Sequence, residues 1–202
     1  LIEVVPIAVA RAAMATGVAR RPIPDEAAYR QDLRARLNPT TSILATAHQT
    51  ARANPKRVIF AEAEEEVVLR AAIDFANGDF GTPVLVGRDD EVIDQLKALG
   101  VTDPGRFEIQ NSRVSPLVPD MVDLLYHRQQ RLGLTHRDCV RLVNQDRHVF
   151  ASLLLALGHG DVLITGVTRH FQQTMSQVRL AVDQAPGQTP FGVHIHVGQS
   201  ET

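Results

Sequence analysis

A chain of 202 residues is long enough to bury a sizeable core, and its single cysteine, Cys139, excludes an internal disulfide and any cysteine-rich metal site. The formal net charge of -2, with acidic and basic residues interspersed, supplies no basic field for nucleic acid. The apolar opening from Leu1 to Val18 is broken by Glu3 and Arg11 and dominated by alanine, so no membrane span or targeting segment is expected there, and the lone thiol fits a reducing, cytoplasmic setting.

Ile7, Ala10 and Met14 recur at helical spacing, with Gly17 placed to end the helix before Arg20-Arg21-Pro22. Its small-residue face needs a neighbour that this sequence does not obviously provide, so residues 1-24 read as the last helix of a preceding domain. Pro22, Pro24 and Pro39 bracket the charged, helical Asp25 to Leu37, and Thr41 to Ala53 is a further helix, so residues 25-53 read as a helical linker. Residues 54-202 then alternate. Strands are expected at Arg57 to Ala61, Pro83 to Val86, Arg106 to Gln110, Asp161 to Thr165 and Phe191 to Val197. Helices are expected at Glu64 to Ala76, with Val67, Val68, Ala71, Ala72 and Phe75 on one face, and at Asp89 to Leu99, Pro116 to Leu132, His136 to Leu157 with a break near Asp146, and Arg169 to Val182. This βαβ rhythm predicts an α/β fold, a three-layer αβα arrangement around a mostly parallel sheet. The chain opens without methionine and stops soon after its last strand, so it reads as cut at both ends.

The segment Asp161 to Arg169 carries the strongest ligand signal. Val162, Leu163 and Ile164 read as a buried strand delivering a polar turn in which Gly166 permits close backbone approach, Thr165 and Thr168 offer hydroxyls, and Arg169 offers a planar cation for phosphate or carboxylate. An ordinary strand-to-helix connection is the alternative. Glu62, Glu64, Glu65 and Glu66 suit the positive end of the following helix, yet Glu62, at a strand's carboxyl end, also suits a ligand crevice. His194 and His196 share one face of a strand, a spacing open to metal ligation but lacking an adjacent carboxylate or thiolate. Arg128, Arg131, Arg137, Arg141 and Arg147 fall in two consecutive helices and suit helix-surface ion pairs, with one or two free to meet an anion. Cys139 reads as a small buried side chain. No P-loop, G-x-G-x-x-G or G-x-S-x-G stands in the sequence.

The run Arg137-Asp138-Cys139-Val140-Arg141-Leu142-Val143-Asn144-Gln145-Asp146-Arg147, followed by Asp161 to Arg169, resembles the phosphotransacetylase-like region of bacterial NADP-dependent malic enzymes. Val58-Ile59-Phe60-Ala61-Glu62 with Arg70-Ala71-Ala72 looks like the first strand and helix of that region, and Pro6 to Ile23 looks like the end of the malic enzyme domain joined to it. The resemblance implies a parent that converts malate to pyruvate and carbon dioxide with NADP and Mg or Mn, none of whose catalytic residues lie in this chain. It implies a first portion of a phosphotransacetylase-like domain that regulates and helps to assemble a homo-oligomer and binds acetyl-CoA or an acyl phosphate, with no cofactor of its own. The residues it assigns to the ligand are Glu62, Arg128, Thr165, Gly166, Thr168, Arg169 and Arg179. An alternative is phosphate acetyltransferase activity, although that family's catalytic serine, arginine and aspartate belong to a stretch beyond Thr202. The family's usual glycine after the first-strand glutamate is Ala63 here, its basic run corresponds to Arg128-Gln129-Gln130-Arg131-Leu132-Gly133, and Arg179 stands three residues further from Gly166 than in the family.

Overall fold

A computed structural model describes residues 4-37 and 39-189. The chain divides into two compact units, one built on Leu1–Thr50 and the other on Ala51–Phe191. The strand expected at Phe191 to Val197, with His194 and His196, lies outside the described residues.

In the first unit, α1 (Val4–Ala15) and α2 (Glu26–Leu37) are followed by α3 (Pro39–Ala53), which runs on into the second. Gly17 ends α1 in the left-handed region at φ 73°, the conformation expected of a helix-terminating glycine. Asp25 caps α2 by accepting from the backbone N–H groups of Ala27 and Ala28, and the Arg11 guanidinium forks onto the Glu26 carboxylate at 2.8 Å. Ile7 is buried on α1, whereas Val4, Val5 and Val9 are exposed.

The second unit contains β1 (Lys56–Phe60), α4 (Glu66–Asn77), β2 (Gly81–Val86), α5 (Asp89–Ala98), β3 (Glu108–Gln110), α6 (Val118–Gln129), α7 (His136–Gln145), α8 (Arg147–Ala156), β4 (Val162–Ile164) and α9 (Phe171–Ala181). The strand order is β3-β2-β1-β4, and the described pairs are parallel. Because side chains alternate along a strand, Val58, Phe60 and Leu85 turn to a cluster built with Val68, Leu69 and Ala72 of α4 and Val92 and Leu96 of α5. Ile59, Ala61, Val84 and Val86 turn the other way, to Met121, Leu125, Cys139, Val143, Phe150 and Leu154 of α6 to α8. The result is the three-layer αβα arrangement the rhythm predicts, with full burial of each large aliphatic side chain contributing about 1.5–3 kcal/mol. Cys139 is an inert part of this core, its thiol pushed up in pKa first by burial.

Two expectations need correction. On α4 the buried positions are Val68, Leu69, Ala72 and Ala76, while Val67 and Ala71 face solvent. The apolar stripe is rotated by one position, because Leu69 rather than Val67 fills the space above Phe60 and Leu85. Nor is β4 a buried strand. Val162 and Ile164 are 43% and 45% exposed, and only Leu163 packs into the core, because among the described residues β4 pairs with β1 alone. A run of three apolar residues has the same pattern at an edge as at the centre of a sheet.

Gly81 begins β2 at φ 147°, and a methyl group there would overlap the Lys56 carbonyl oxygen of the paired strand. Gly81→Ala therefore has to part β1 from β2. We expect a loss of about 3 kcal/mol or more in chemical denaturation, against about 1–2 kcal/mol for Gly100→Ala, whose added methyl meets nothing but is strained by the left-handed φ of 87°.

Candidate functional site

The chain builds β1, β2 and β3 in one direction and then returns to place β4 on the other side of β1. The carboxyl ends of β1 and β4 therefore flank the point where strand order reverses, the usual ligand crevice of an open parallel sheet. Glu62 leaves β1 there, and Thr165 to Arg169 leave β4. Asp161 sets this register by accepting from the Arg57 N–H while its own N–H donates to the Arg57 carbonyl, both at 2.8 Å.

Gly166, at φ 105°, turns the chain so that successive backbone N–H groups converge, a concavity that suits an anion. The Glu62 carboxylate fills it. One oxygen, Oε2, accepts from Gly166 N at 2.8 Å and Val167 N at 2.9 Å, while Oε1 accepts from Thr168 N at 2.8 Å and the Thr168 hydroxyl at 2.5 Å. Glu62 is 1% exposed. Burial alone would raise its pKa, but the Thr168 hydroxyl and the backbone donors of Val167, Thr168 and Gly166 prevail and hold it at about 2. Glu62 therefore neither caps α4, whose N-cap is Glu65 without a side-chain bond, nor presents a free carboxylate to a ligand.

The rest of the loop is fixed by the α7–α8 junction. Asp146 is extended between the two helices, and its Oδ1 caps α8 by accepting from His148 N and Val149 N. Its Oδ2 accepts from Arg169 Nη1 at 2.7 Å and Gln177 Nε2 at 2.6 Å. Two residues on, the fully buried His148 shares a 2.6 Å hydrogen bond between Nδ1 and the Thr165 hydroxyl. Its Nε2 stands 3.9 Å from Glu62 Oε1. Burial, the largest influence, lowers the His148 pKa, and nearby Arg169 adds to this while Glu62 opposes it. His148 Nε2, Thr174 Oγ1 and Gln177 Oε1 are buried polar atoms with no hydrogen-bond partner among the described residues.

The fold thus gathers Glu62, Thr165, Gly166, Thr168 and Arg169 into one cluster. It does not bring Arg128 or Arg179 into direct contact with it. Arg128 donates to the Leu180 carbonyl and pairs with Asp183 at 2.6 Å, tying α6 to the end of α9. Arg179 lines a shallow cavity of about 380 Å³ with Phe171, Met175, Ser176 and Gln184. Sequence reasoning missed His148, Gln177 and Thr174. His148 stands two residues after the Asp146 break, and that proximity was its only signal.

The Glu62 carboxyl, with an ordinary value of 4.5 and about 2 in the fold, contributes stability that is complete above pH 4.5 and lost as pH falls towards 2. That contribution is on the order of 3 kcal/mol. His148, also depressed in the fold, favours the unfolded chain as pH falls below its ordinary 6.5. The thermal midpoint should therefore decline in acid in two stages, the first below pH 6.5 and the second below pH 4.5. Glu62→Gln should remove the second stage and lower stability at neutral pH by about 2–3 kcal/mol. A wild-type acid profile superimposable on that of the variant would contradict the assignment.

The family model described as phosphate acetyl/butaryl transferase matches residues 42–200. The chain is 42% identical over its whole length to an NADP-dependent malic enzyme of Rhizobium meliloti (strain 1021), of which it covers 27%. It is 35% identical over 98% of its length to a probable NADP-dependent malic enzyme of Rickettsia prowazekii (strain Madrid E), of which it covers 26%. The chain thus spans about a quarter of the length of these curated relatives. Its fold matches that of a phosphotransacetylase from Streptococcus pyogenes with a TM-score of 0.67 and 20% identity, over 74% of this chain and 44% of that one. The chain belongs to the phosphate acetyl/butaryl transferase family and matches a region of NADP-dependent malic enzymes, of which it covers about a quarter.

Proposed function

We propose that this chain is the regulatory and assembly region of an NADP-dependent malic enzyme, which takes malate to pyruvate and carbon dioxide, and that it binds acetyl-CoA or a related acyl or phosphate ligand beside the Thr165 to Arg169 loop. The observation that carries this reading is the saturated state of the Glu62 carboxylate. A general base at neutral pH needs a pKa near the working pH, whereas a carboxylate at about 2 with four donors is a structural anchor. Arg169 is likewise neutralised by Asp146. A loop so fully satisfied suits recognition of a ligand by shape. Arg128, and Arg179 in its cavity, would supply cations for phosphate.

Assembly is supported by the apolar surface around β4, where Val162, Ile164 and Phe171 are exposed, and the preceding domain by the exposed valines of α1. Among the described residues no group of three or more His, Cys, Asp or Glu side chains is placed to hold a metal ion. On this reading NADP and the metal belong to the malic enzyme part, and no step of malate chemistry is assigned to this chain. No helix among the described residues is long and apolar enough to cross a membrane.

The family match favours a second reading, a phosphate acetyltransferase forming acetyl phosphate and CoA from acetyl-CoA and phosphate. The two separate cleanly. Acetyl-CoA titrated into the 202-residue chain should give heat and a raised thermal midpoint without turnover, and Arg179→Ala should weaken binding about tenfold. Arg179 is exposed, so its loss leaves the fold intact. Unchanged affinity in Arg179→Ala would remove that residue from the site, absence of binding would remove acetyl-CoA, and measurable acetyl phosphate formation would replace the regulatory reading by the catalytic one.

A further inference from the structure

A second crevice opens at the carboxyl ends of β2 and β3, away from the Thr165 to Arg169 loop. It has a volume of about 790 Å³, within the range of small-molecule sites, and is lined by Arg88, Arg113 and Arg147 together with Asn111, Ser112 and Gln145. None of Glu62, Arg128, Thr165 to Arg169 or Arg179 lines it. Gly87 forms part of its floor, and a methyl group there would stand 2.8 Å from Val92 Cγ2 and 3.2 Å from Glu64 Cγ. A residue without a side chain is therefore what lets Glu64 occupy this wall.

The acidic groups around the crevice are already engaged. Glu64 accepts from the Arg88 N–H at 3.2 Å and Nε at 3.3 Å and lies 3.5 Å from Arg147 Nη2, so it bridges two guanidiniums and fixes their positions. Glu91 pairs with Arg88, and Asp89 accepts from Asn111 Nδ2 at 2.7 Å. Glu65 is 3.8 Å from Arg147 Nη1, beyond hydrogen-bond range, and this Nη1 is a buried donor with no hydrogen-bond partner among the described residues. Arg113, also in the lining, is held by its backbone, whose N–H donates to Asn111 Oδ1, while its exposed guanidinium has no partner among the described hydrogen bonds and ion pairs. Ser112 Oγ donates to the Asn144 carbonyl, which closes the crevice against the end of α7. The crevice thus carries one guanidinium, that of Arg113, with no partner among the described residues, a second, that of Arg147, held by longer ion contacts to Glu64 and Glu65, and the neutral side chains of Asn111 and Gln145.

We propose that this crevice is a second binding site, specific for a phosphate group carried on a nucleotide-sized organic molecule. A carboxylate is satisfied by one guanidinium fork, whereas a phosphate has oxygens for two guanidiniums approaching from different sides. Arg113 and Arg147 supply those two, Gln145 and Asn111 meet polar groups of the remaining body, and the volume exceeds what a bare inorganic ion requires. The site is independent of the acetyl-CoA reading of the β4 loop.

Calorimetric titration of the 202-residue chain with pyrophosphate and with ADP tests it, with succinate as the dicarboxylate control. Both phosphates should bind and succinate should not, with affinity falling as salt is raised. Arg113→Ala and Arg147→Gln should each weaken ADP about tenfold or more, and Arg179→Ala should leave it unchanged. Arg113 is the safer variant, since its side chain supports no contact of the fold. Amide resonances of Gly87, Arg88, Ser112, Arg113 and Gln145 should shift on titration with pyrophosphate. Absence of binding by either phosphate, equal binding of succinate, or ADP affinity that depends on Arg179 and not on Arg113 would each overturn the proposal. The last outcome would place the nucleotide beside α9, and it would leave the acetyl-CoA reading standing.

Discussion

The Glu62 carboxylate, taking three consecutive backbone N–H groups and one hydroxyl from the loop after β4, is the contact on which the site depends. It joins the carboxyl ends of two adjacent parallel strands that are 104 residues apart in sequence. A buried carboxylate without such donors would be strongly unfavourable, and a run of inward N–H groups without an acceptor would be too, so each makes the other's position tolerable. The crossover of the chain through α4 to α8 is therefore closed by electrostatics at the strand ends as well as by the hydrophobic layers on either side of the sheet.

Asp146 plays the complementary part on the helical side. One side-chain oxygen ends the conflict between α7 and α8 by capping the second helix, and the other receives Arg169 and Gln177 from beyond β4. The two residues that follow the cap point to different places. Arg147 faces the crevice over β2 and β3, and His148 reaches the hydroxyl of Thr165. A three-residue stretch thereby touches both concave regions of the domain.

Much of the architecture was legible from local pattern. The alternation of short apolar runs with amphipathic helices required a parallel sheet covered on both faces, and the interruption at Asp146 marked the α7–α8 break, since an Asp in a helical stretch competes for backbone N–H groups as a cap does. The stripe on α4 was read one position out, because Val67 and Leu69 are equally apolar and only contact with Phe60 and Leu85 selects between them. For β4, three apolar residues gave no sign of which flank would be covered.

The sequence by itself determined the element order, the fold class, and Glu62 and the turn after β4 as the polar positions at strand ends, because those follow from periodicity, glycine placement and the rule that parallel strands present their carboxyl ends together. Only the tertiary structure decided what these groups do. The carboxylate of Glu62 and the N–H groups of Gly166, Val167 and Thr168 are each suited to a ligand when considered alone, and the strand order sets them 2.8–2.9 Å apart, where they satisfy one another. Which polar groups are spent and which remain free depends on distances between segments remote in the chain, and no local pattern encodes those distances.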